Sequence, residues 1–271
     1  MITRRHSSRS TAGTLMLLAL SLATPLEGFA APATPAKPTV VLVHGAFADG
    51  SSWNGVIDRL HADGYRVVAA PNELRSVRTD AAEVGSLLRS IPGPVVLVGH
   101  SYAGSVISAA ADGLSNVKAL VFVAAFAPAV GETAAQLSGK FPGSSLGATL
   151  APPVALVDGG KDLYIQQDKF HAQFAADVPA AQARLMAATQ RPITEAALNE
   201  ASPASAWKTL PSWFVYGDAD LNIPAAAQAF MAERAHARET VVIKGASHVV
   251  MVSHPDAVVA LIEKAAQGER P

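Results

Sequence analysis

The chain has 271 residues, 50% of them hydrophobic and 16% charged, with a formal net charge of −1 and no cysteine. That length and apolar content suit one globular domain with a sizeable core, and they exclude disordered, collagenous and coiled-coil chains. Twenty-one basic residues against twenty-two acidic ones leave no surplus to attract a phosphate backbone, so no nucleic-acid partner is expected; the lack of cysteine excludes disulfides, thiolate metal sites and a cysteine nucleophile.

Residues 1–30 read as an export signal. Arg4, Arg5 and Arg9 precede an apolar run at 15–22, and the small residues Gly28, Ala30 and Ala31 follow. The run is about half the ~20 residues a membrane-spanning helix needs, so a cleaved leader is expected rather than an anchor. Cleavage near Ala30 or Ala31 would release a periplasmic or extracellular chain, without stable membrane insertion, that begins with the Pro/Ala-rich linker 31–38.

From Thr39 onward strands alternate with helices. The runs 39–43 (TVVLV), 66–69 (RVVA), 94–98 (PVVLV), 117–123 (VKALVFV), 212–216 (SWFVY) and 239–243 (ETVVI) are short and mostly β-branched, as strands covered on both faces must be. Helical patterns occupy 52–63, 79–90, 103–113, 224–235 and 255–267. This alternation predicts an α/β fold with a mostly parallel central sheet flanked by helices. Residues 39–125 and 211–271 form the two parts of that core. Between them, 126–210 is Ala-rich, helical and interrupted by proline, with one extended run at 153–157. It is too long for a connection, so a mainly helical inserted cap is expected over the carboxyl edge of the sheet, where open α/β sheets bind ligands.

The third strand runs straight into Gly99-His100-Ser101-Tyr102-Ala103-Gly104 and then into a helix of small residues. A strand, an abrupt turn and a helix with serine at the apex describe a nucleophile elbow, whose tightness requires small residues two positions to either side, here Gly99 and Ala103. A hydroxyl attacks a carbonyl only when a base removes its proton, so a histidine and a carboxylate must follow. His248 closes the loop Lys244-Gly245-Ala246-Ser247-His248 after the last strand, and it suits the general base. For the acid, Asp220 and Asp218 share the loop after the strand 212–216, and Asp158 follows the extended run of the cap. Asp220 is preferred, because the turn at Gly217 gives the chain room to bend inward before it.

The tetrahedral intermediate needs main-chain donors for its oxygen. One is expected to be the N–H of Tyr102; the other is that of Ala46 or Phe47, in the Gly-rich loop that follows the first strand from His44. His44 reads as a brace for this loop. His100 points away from the serine hydroxyl, and His171, His236 and His254 read as structural or solvated.

Together the His44-Gly45 loop, the elbow, the Asp220-to-Pro224 turn and the His248 loop resemble those of the α/β-hydrolase superfamily over nearly all of the chain from Thr39. The runs at 245–255 (GASHVVMVSHP) and 220–224 are similar to those of the methyl-esterase and hydroxynitrile-lyase branch and its secreted bacterial relatives. The resemblance implies an α/β-hydrolase fold, a Ser101, Asp220, His248 triad and no cofactor. The plant lyases of that branch carry lysine after the catalytic histidine and threonine after the oxyanion-loop histidine, where this chain has Val249 and Gly45. Carboxylic-ester hydrolysis is therefore favoured over lyase or cofactor-free haloperoxidase chemistry. The alternative class is a noncatalytic ligand-binding protein on the same scaffold.

Phe126, Phe141, Leu146, Tyr164, Phe170 and Phe174 supply apolar bulk in the cap, and no arginine cluster accompanies the site, so the expected substrate is a small or medium uncharged ester. No H-x-x-x-H, H-E-x-x-H, EF-hand or G-x-G-x-x-G pattern occurs, so neither a metal nor a dinucleotide cofactor is expected.

Overall fold

A computed structural model describes residues 1–3, 6 and 37–268. Nearly all of the export signal expected at 1–30 and of the linker expected at 31–38 lies outside the described residues. The chain divides into two units, Met1–Pro35 and Ala36–Pro271, and every element named below belongs to the second.

The first half runs β1 (Thr39–Val43), α1 (Asn54–Ala62), β2 (Val67–Ala70), α2 (Val77–Ser90), β3 (Val95–His100), α3 (Ala103–Ala110) and β4 (Val117–Val123). The inserted region carries α4 (Ala134–Gly139), α5 (Leu146–Thr149), β5 (Val154–Ala155), β6 (Lys161–Leu163), α6 (Gln167–Phe174), α7 (Ala180–Thr189), β7 (Ile193–Thr194) and α8 (Glu195–Asn199). The chain then returns through β8 (Ser212–Gly217), α9 (Ala225–Arg234), β9 (Glu239–Ile243), α10 (Val250–Ser253) and α11 (Pro255–Gln267).

Six strands form one all-parallel sheet in the order β2-β1-β3-β4-β8-β9, and these are the six runs marked in the sequence. The largest shift is at β3, which continues through Gly99 and His100 because both stay paired, with Phe122 and Val123. β1 lies between β2 and β3, so the chain winds to one side of β1 and then to the other. The crevice beyond the carboxyl ends of β1 and β3 is thus the topological switch point where such sheets place their ligands.

Burial on both faces explains the unbroken apolar strands: every residue of β1 and β3 is buried. Phe122 and Phe214 stack at 4.6 Å between β4 and β8, adding about 1 kcal/mol to the burial of two large rings. α11 seals one face with Val258, Val259, Leu261 and Ile262; it starts at Pro255, whose missing N–H suits a first turn, and stops at Gly268 in the left-handed conformation.

The insertion departs from expectation in one respect. Beside its helices it contains a three-stranded antiparallel sheet, β5-β6-β7, rather than one extended run. Strands of two or three residues carry no readable alternation, and β7 joins β6 from about thirty residues further along the chain. Among the described residues no helix is long and apolar enough to cross a membrane.

Candidate active site

Ser101 stands at the turn between β3 and α3 with φ of +55°, a left-handed backbone that presents its side chain outward from the sheet edge. Two glycines permit the turn. A Cβ on Gly99 would lie 2.8 Å from Ala103 O, and one on Gly104 would lie 2.0 Å from Phe126 O. The alanine at position 103 is accommodated, and Gly104 is the stricter requirement, because the strand-to-loop segment after β4 crosses directly over it. Ser101 O accepts from the amides of both Gly104 (3.0 Å) and Phe126 (3.1 Å), which fixes the crossing.

Ser101 Oγ–H donates to His248 Nε2 at 2.8 Å, and His248 Nδ1–H donates to Asp220 Oδ2 at 2.7 Å. The direction follows from the partners: the carboxylate takes the only ring proton, which leaves Nε2 as the acceptor. Asp220 Oδ1 accepts from the amides of Asn222 (2.8 Å) and Ile223 (3.0 Å), and Oδ2 accepts a second bond from Gln228 Nε2 (2.9 Å). The carboxylate is thus held by four donors in a buried setting. The other carboxylates weighed lie elsewhere. Asp218 accepts from Gly245 N at 2.6 Å on the exposed side of the two loops, and Asp158 accepts from Gly160 N in an exposed turn.

Gly217 brings acid and histidine together by close contact rather than by bending. A Cβ there would stand 2.0 Å from Ala246 O, so the Asp220 and His248 loops cross backbone against backbone at that point. Ala219 N donates to the same carbonyl at 3.2 Å.

His248 is packed on two sides. The Phe174 ring lies 5.1 Å from it and the His100 ring 4.8 Å, and His100 Nε2–H donates to His248 O at 3.2 Å. Full burial, reinforced by the neighbouring His248, pushes the His100 imidazole well below its ordinary range and keeps it neutral. His44 is also lowered by burial; its Nδ1–H donates to Gly45 O at 3.0 Å, and its own carbonyl accepts from Asn72 Nδ2 at 2.8 Å, so it braces the loop after β1. A Cβ on Gly45 would lie 2.6 Å from Ser101 Cβ, because this loop runs directly over the elbow.

The two alternative loop amides are separated by the structure. Phe47, at φ +59°, turns its N–H to Arg191 O at 2.9 Å and is therefore committed. Among the described residues the amides of Ala46 and Tyr102 meet no acceptor, and both residues line the cavity that contains Ser101 and His248. Of the three expected donors, the amides of Ala46 and Tyr102 are thus uncommitted among the described residues, whereas that of Phe47 is not.

That cavity has a volume of about 330 Å³ and no charged side chain in its wall. Of the six apolar residues marked in the insertion, Phe126, Leu146 and Phe174 line it. Phe170 instead packs behind Phe174 at 4.9 Å, Phe141 against Phe230 at 5.7 Å, and Tyr164 borders a separate cleft. Sequence reasoning missed Gln228. Its one signal was a lone amide among the alanines of α9, on the face that also buries Ala227, Met231 and Ala232.

Comparison with known proteins agrees with this fold. The chain is 27% identical over 250 residues to the alpha/beta hydrolase nvfD of Aspergillus novofumigatus, a match covering 85% of this chain and 97% of that protein. Its fold is similar to that of polyneuridine aldehyde esterase (TM-score 0.74, 19% identity, 84% of this chain and 99% of that one). It is also similar to an extracellular alpha/beta-hydrolase from a Paenibacillus species (TM-score 0.66, 22% identity, 84% and 98%). The sequence profile of the alpha/beta hydrolase family matches residues 40–261, which span both parts of the sheet and all three residues of the Ser101, His248, Asp220 chain, and the protein belongs to that family.

Proposed function

We propose that this protein is a serine esterase that hydrolyses a small or medium, uncharged carboxylic ester through an acyl-enzyme on Ser101. The observation that carries the reading is the unbroken hydrogen-bonded line from Ser101 Oγ through His248 to Asp220, opening on an apolar cavity without charged walls.

In this mechanism Ser101 Oγ attacks the ester carbonyl as its proton passes to His248 Nε2, and the carbonyl oxygen, now anionic, is met by the amides of Ala46 and Tyr102. Asp220 keeps the imidazole in the tautomer that accepts at Nε2 and stabilises the imidazolium. The proton then moves from Nε2 to the departing alcohol. Water, deprotonated by the same nitrogen, attacks the acyl-enzyme and releases the acid with Ser101 restored.

Lyase chemistry of the cyanohydrin type lacks its cation here. Val249 follows His248 as a buried apolar residue, and Gly45 leaves no room for a side chain over Ser101. The likeness to an enzyme named as an esterase is in keeping with ester hydrolysis, and the methyl-esterase-like branch and export on residues 1–30 are part of the same proposal.

Labelling with a fluorophosphonate, followed by mapping of the modified residue, tests the proposal. Modification is expected at Ser101, with a burst of acylation on a short p-nitrophenyl ester that Ser101→Ala abolishes. Labelling at another serine, or at none, would overturn this mechanism, and equal, negligible turnover in both proteins would leave a noncatalytic ligand-binding protein.

A further inference from the structure

Tyr102 is more than the residue next to the nucleophile. Its ring is buried, and its hydroxyl donates to Asp80 Oδ2 at 3.0 Å, in the first turn of α2. Asp80 is itself buried, and among the described residues no cation is bonded to it. Its Oδ1 accepts from the Arg75 amide at 3.3 Å and from Thr79 Oγ1 at 3.5 Å. A buried carboxylate in that position is an expensive way to fill space, because an apolar pair of similar volume avoids the desolvation. Burial pushes both partners upward: the Asp80 carboxyl lies above its usual range and the Tyr102 hydroxyl remains a neutral donor.

We propose that Asp80 is a positioning residue for the oxyanion hole, holding Tyr102 by its hydroxyl so that the Tyr102 amide stays aimed at the carbonyl oxygen of the ester. This rests on the esterase reading above. The peptide that carries the amide sits at the strained turn of Ser101; its carbonyl side is held, because Ser101 O accepts from Gly104 N and Phe126 N, while its N–H meets no acceptor among the described residues. The amide side of that peptide is steadied through the side chain of Tyr102, buried along its ring and pinned at its far end. Asp80 is fixed in turn by the turn at Arg75, which is bonded to the insertion. Arg75 Nη1 reaches Asp162 at 2.6 Å, Nη2 reaches Pro192 O at 2.8 Å, and Thr194 Oγ1 donates to Arg75 O at 2.7 Å. Next to Pro192, Arg191 O takes the Phe47 amide and so holds the loop that carries Ala46. One short segment of the cap thus supports both donors.

Steady-state kinetics of wild type, Tyr102→Phe, Asp80→Asn and Asp80→Ala on a p-nitrophenyl ester, with the affinity of each for a trifluoromethyl ketone that forms a tetrahedral adduct, test the proposal. Tyr102→Phe keeps the ring and loses only the hydroxyl. It is expected to lower kcat by about 10- to 100-fold, short of the roughly 10²- to 10³-fold that complete loss of an oxyanion donor costs, with KM changed less than about threefold. Ketone affinity should fall in parallel. Asp80→Asn, whose amide oxygen accepts the same bond, is expected to recover most of what Asp80→Ala loses. A Tyr102→Phe protein with a lower melting temperature but unchanged kcat and ketone affinity would overturn the proposal, even if Asp80→Ala does not fold. An inactive wild type overturns the esterase reading as well, which separates the two failures.

Discussion

Gln228 Nε2 donates to Asp220 Oδ2 at 2.9 Å, on the same carboxylate oxygen that receives the His248 ring at 2.7 Å. The amide also donates to Ile223 O at 2.9 Å, so one side chain clamps both the acid and the turn that carries it. Gln228→Leu keeps the volume and removes both bonds. Because the Asn222 and Ile223 amides still hold Oδ1, the carboxylate should tilt rather than leave, and kcat is expected to fall by about tenfold. Stability should drop by about 1–3 kcal/mol for the carbonyl left unpaired. Kinetics and urea unfolding of the variant check both figures; full activity would remove Gln228 from the machinery.

Asp220 and Asp218 are distinguished by a pair of asparagine variants. Asp220→Asn places an amide against His248 Nδ1 and favours the wrong tautomer, and kcat is expected to fall by about 10⁴ with KM little altered. Asp218→Asn disturbs only an exposed bond to Gly245 N, and its effect on kcat should stay within about threefold. Loss of activity in Asp218→Asn alone would falsify the assignment of the acid.

The sheet and the reacting side chains were legible in the sequence for one reason: each rests on a local pattern. Apolar β-branched runs marked all six strands, and the serine, acid and histidine each followed one of them at the same edge. In the sequence Asp220 is preferred over Asp218 because Gly217 would let the chain bend inward before it, whereas in the structure Gly217 serves the close approach to Ala246 O, so Asp220 takes the acid's place for a different reason. The features that escaped are contacts between segments distant in the chain. Nothing within residues 102–104 announces that Phe126 O lies above Gly104, and nothing near Phe47 shows that its amide belongs to Arg191. The β5-β6-β7 sheet was invisible for the related reason that its strands are too short for a period. Gln228 and Asp80 look like ordinary helical polar residues until the partner arrives from another element.

The buried imidazoles give the fold a pH dependence of known sign. His100 and His44 both lie below 6.5 in the folded protein because burial disfavours their charge. As pH falls below about 6.5, the unfolded chain takes up protons that the folded chain refuses, so stability present at neutral pH is lost toward acid, by up to about 1.4 kcal/mol per pH unit for each such group. His100→Gln, whose amide can still donate to His248 O, should flatten this limb. Melting temperatures of the two proteins between pH 7.5 and 5 test it, and parallel curves would mean that His100 is not the source.

Gly217→Ala probes the crossing of the acid and histidine loops. The new methyl meets backbone, with Ala246 O at 2.0 Å and Ser247 O at 2.9 Å, so no side-chain rotation relieves it. One loop must move, at a cost of about 3 kcal/mol or more. Because those loops carry Asp220 and His248, folded variant protein should also show kcat reduced by at least about 100-fold. A variant as active and as stable as wild type would show that the close approach is not needed.

Phe47 stands between two cavities. The residue lines the 330 Å³ pocket of Ser101 and also a cleft of about 470 Å³ between the loop after β1 and α7, bounded by Ser52, Gln182 and Met186. It is held edge-on to Phe174 at 6.1 Å. Removing the ring joins the two spaces while leaving the Arg191 bond to the main chain in place, so Phe47→Ala should admit acyl or alcohol groups that the wild-type pocket rejects. Across p-nitrophenyl esters from acetate to decanoate, wild type is expected to favour the short members, and Phe47→Ala to move the optimum of kcat/KM toward longer ones while losing rate on acetate. Truncating a buried phenyl costs about 3–5 kcal/mol, so Phe47→Leu is the milder companion and should shift the profile in the same direction. If both variants keep the wild-type preference for chain length, the ring is packing and not a partition.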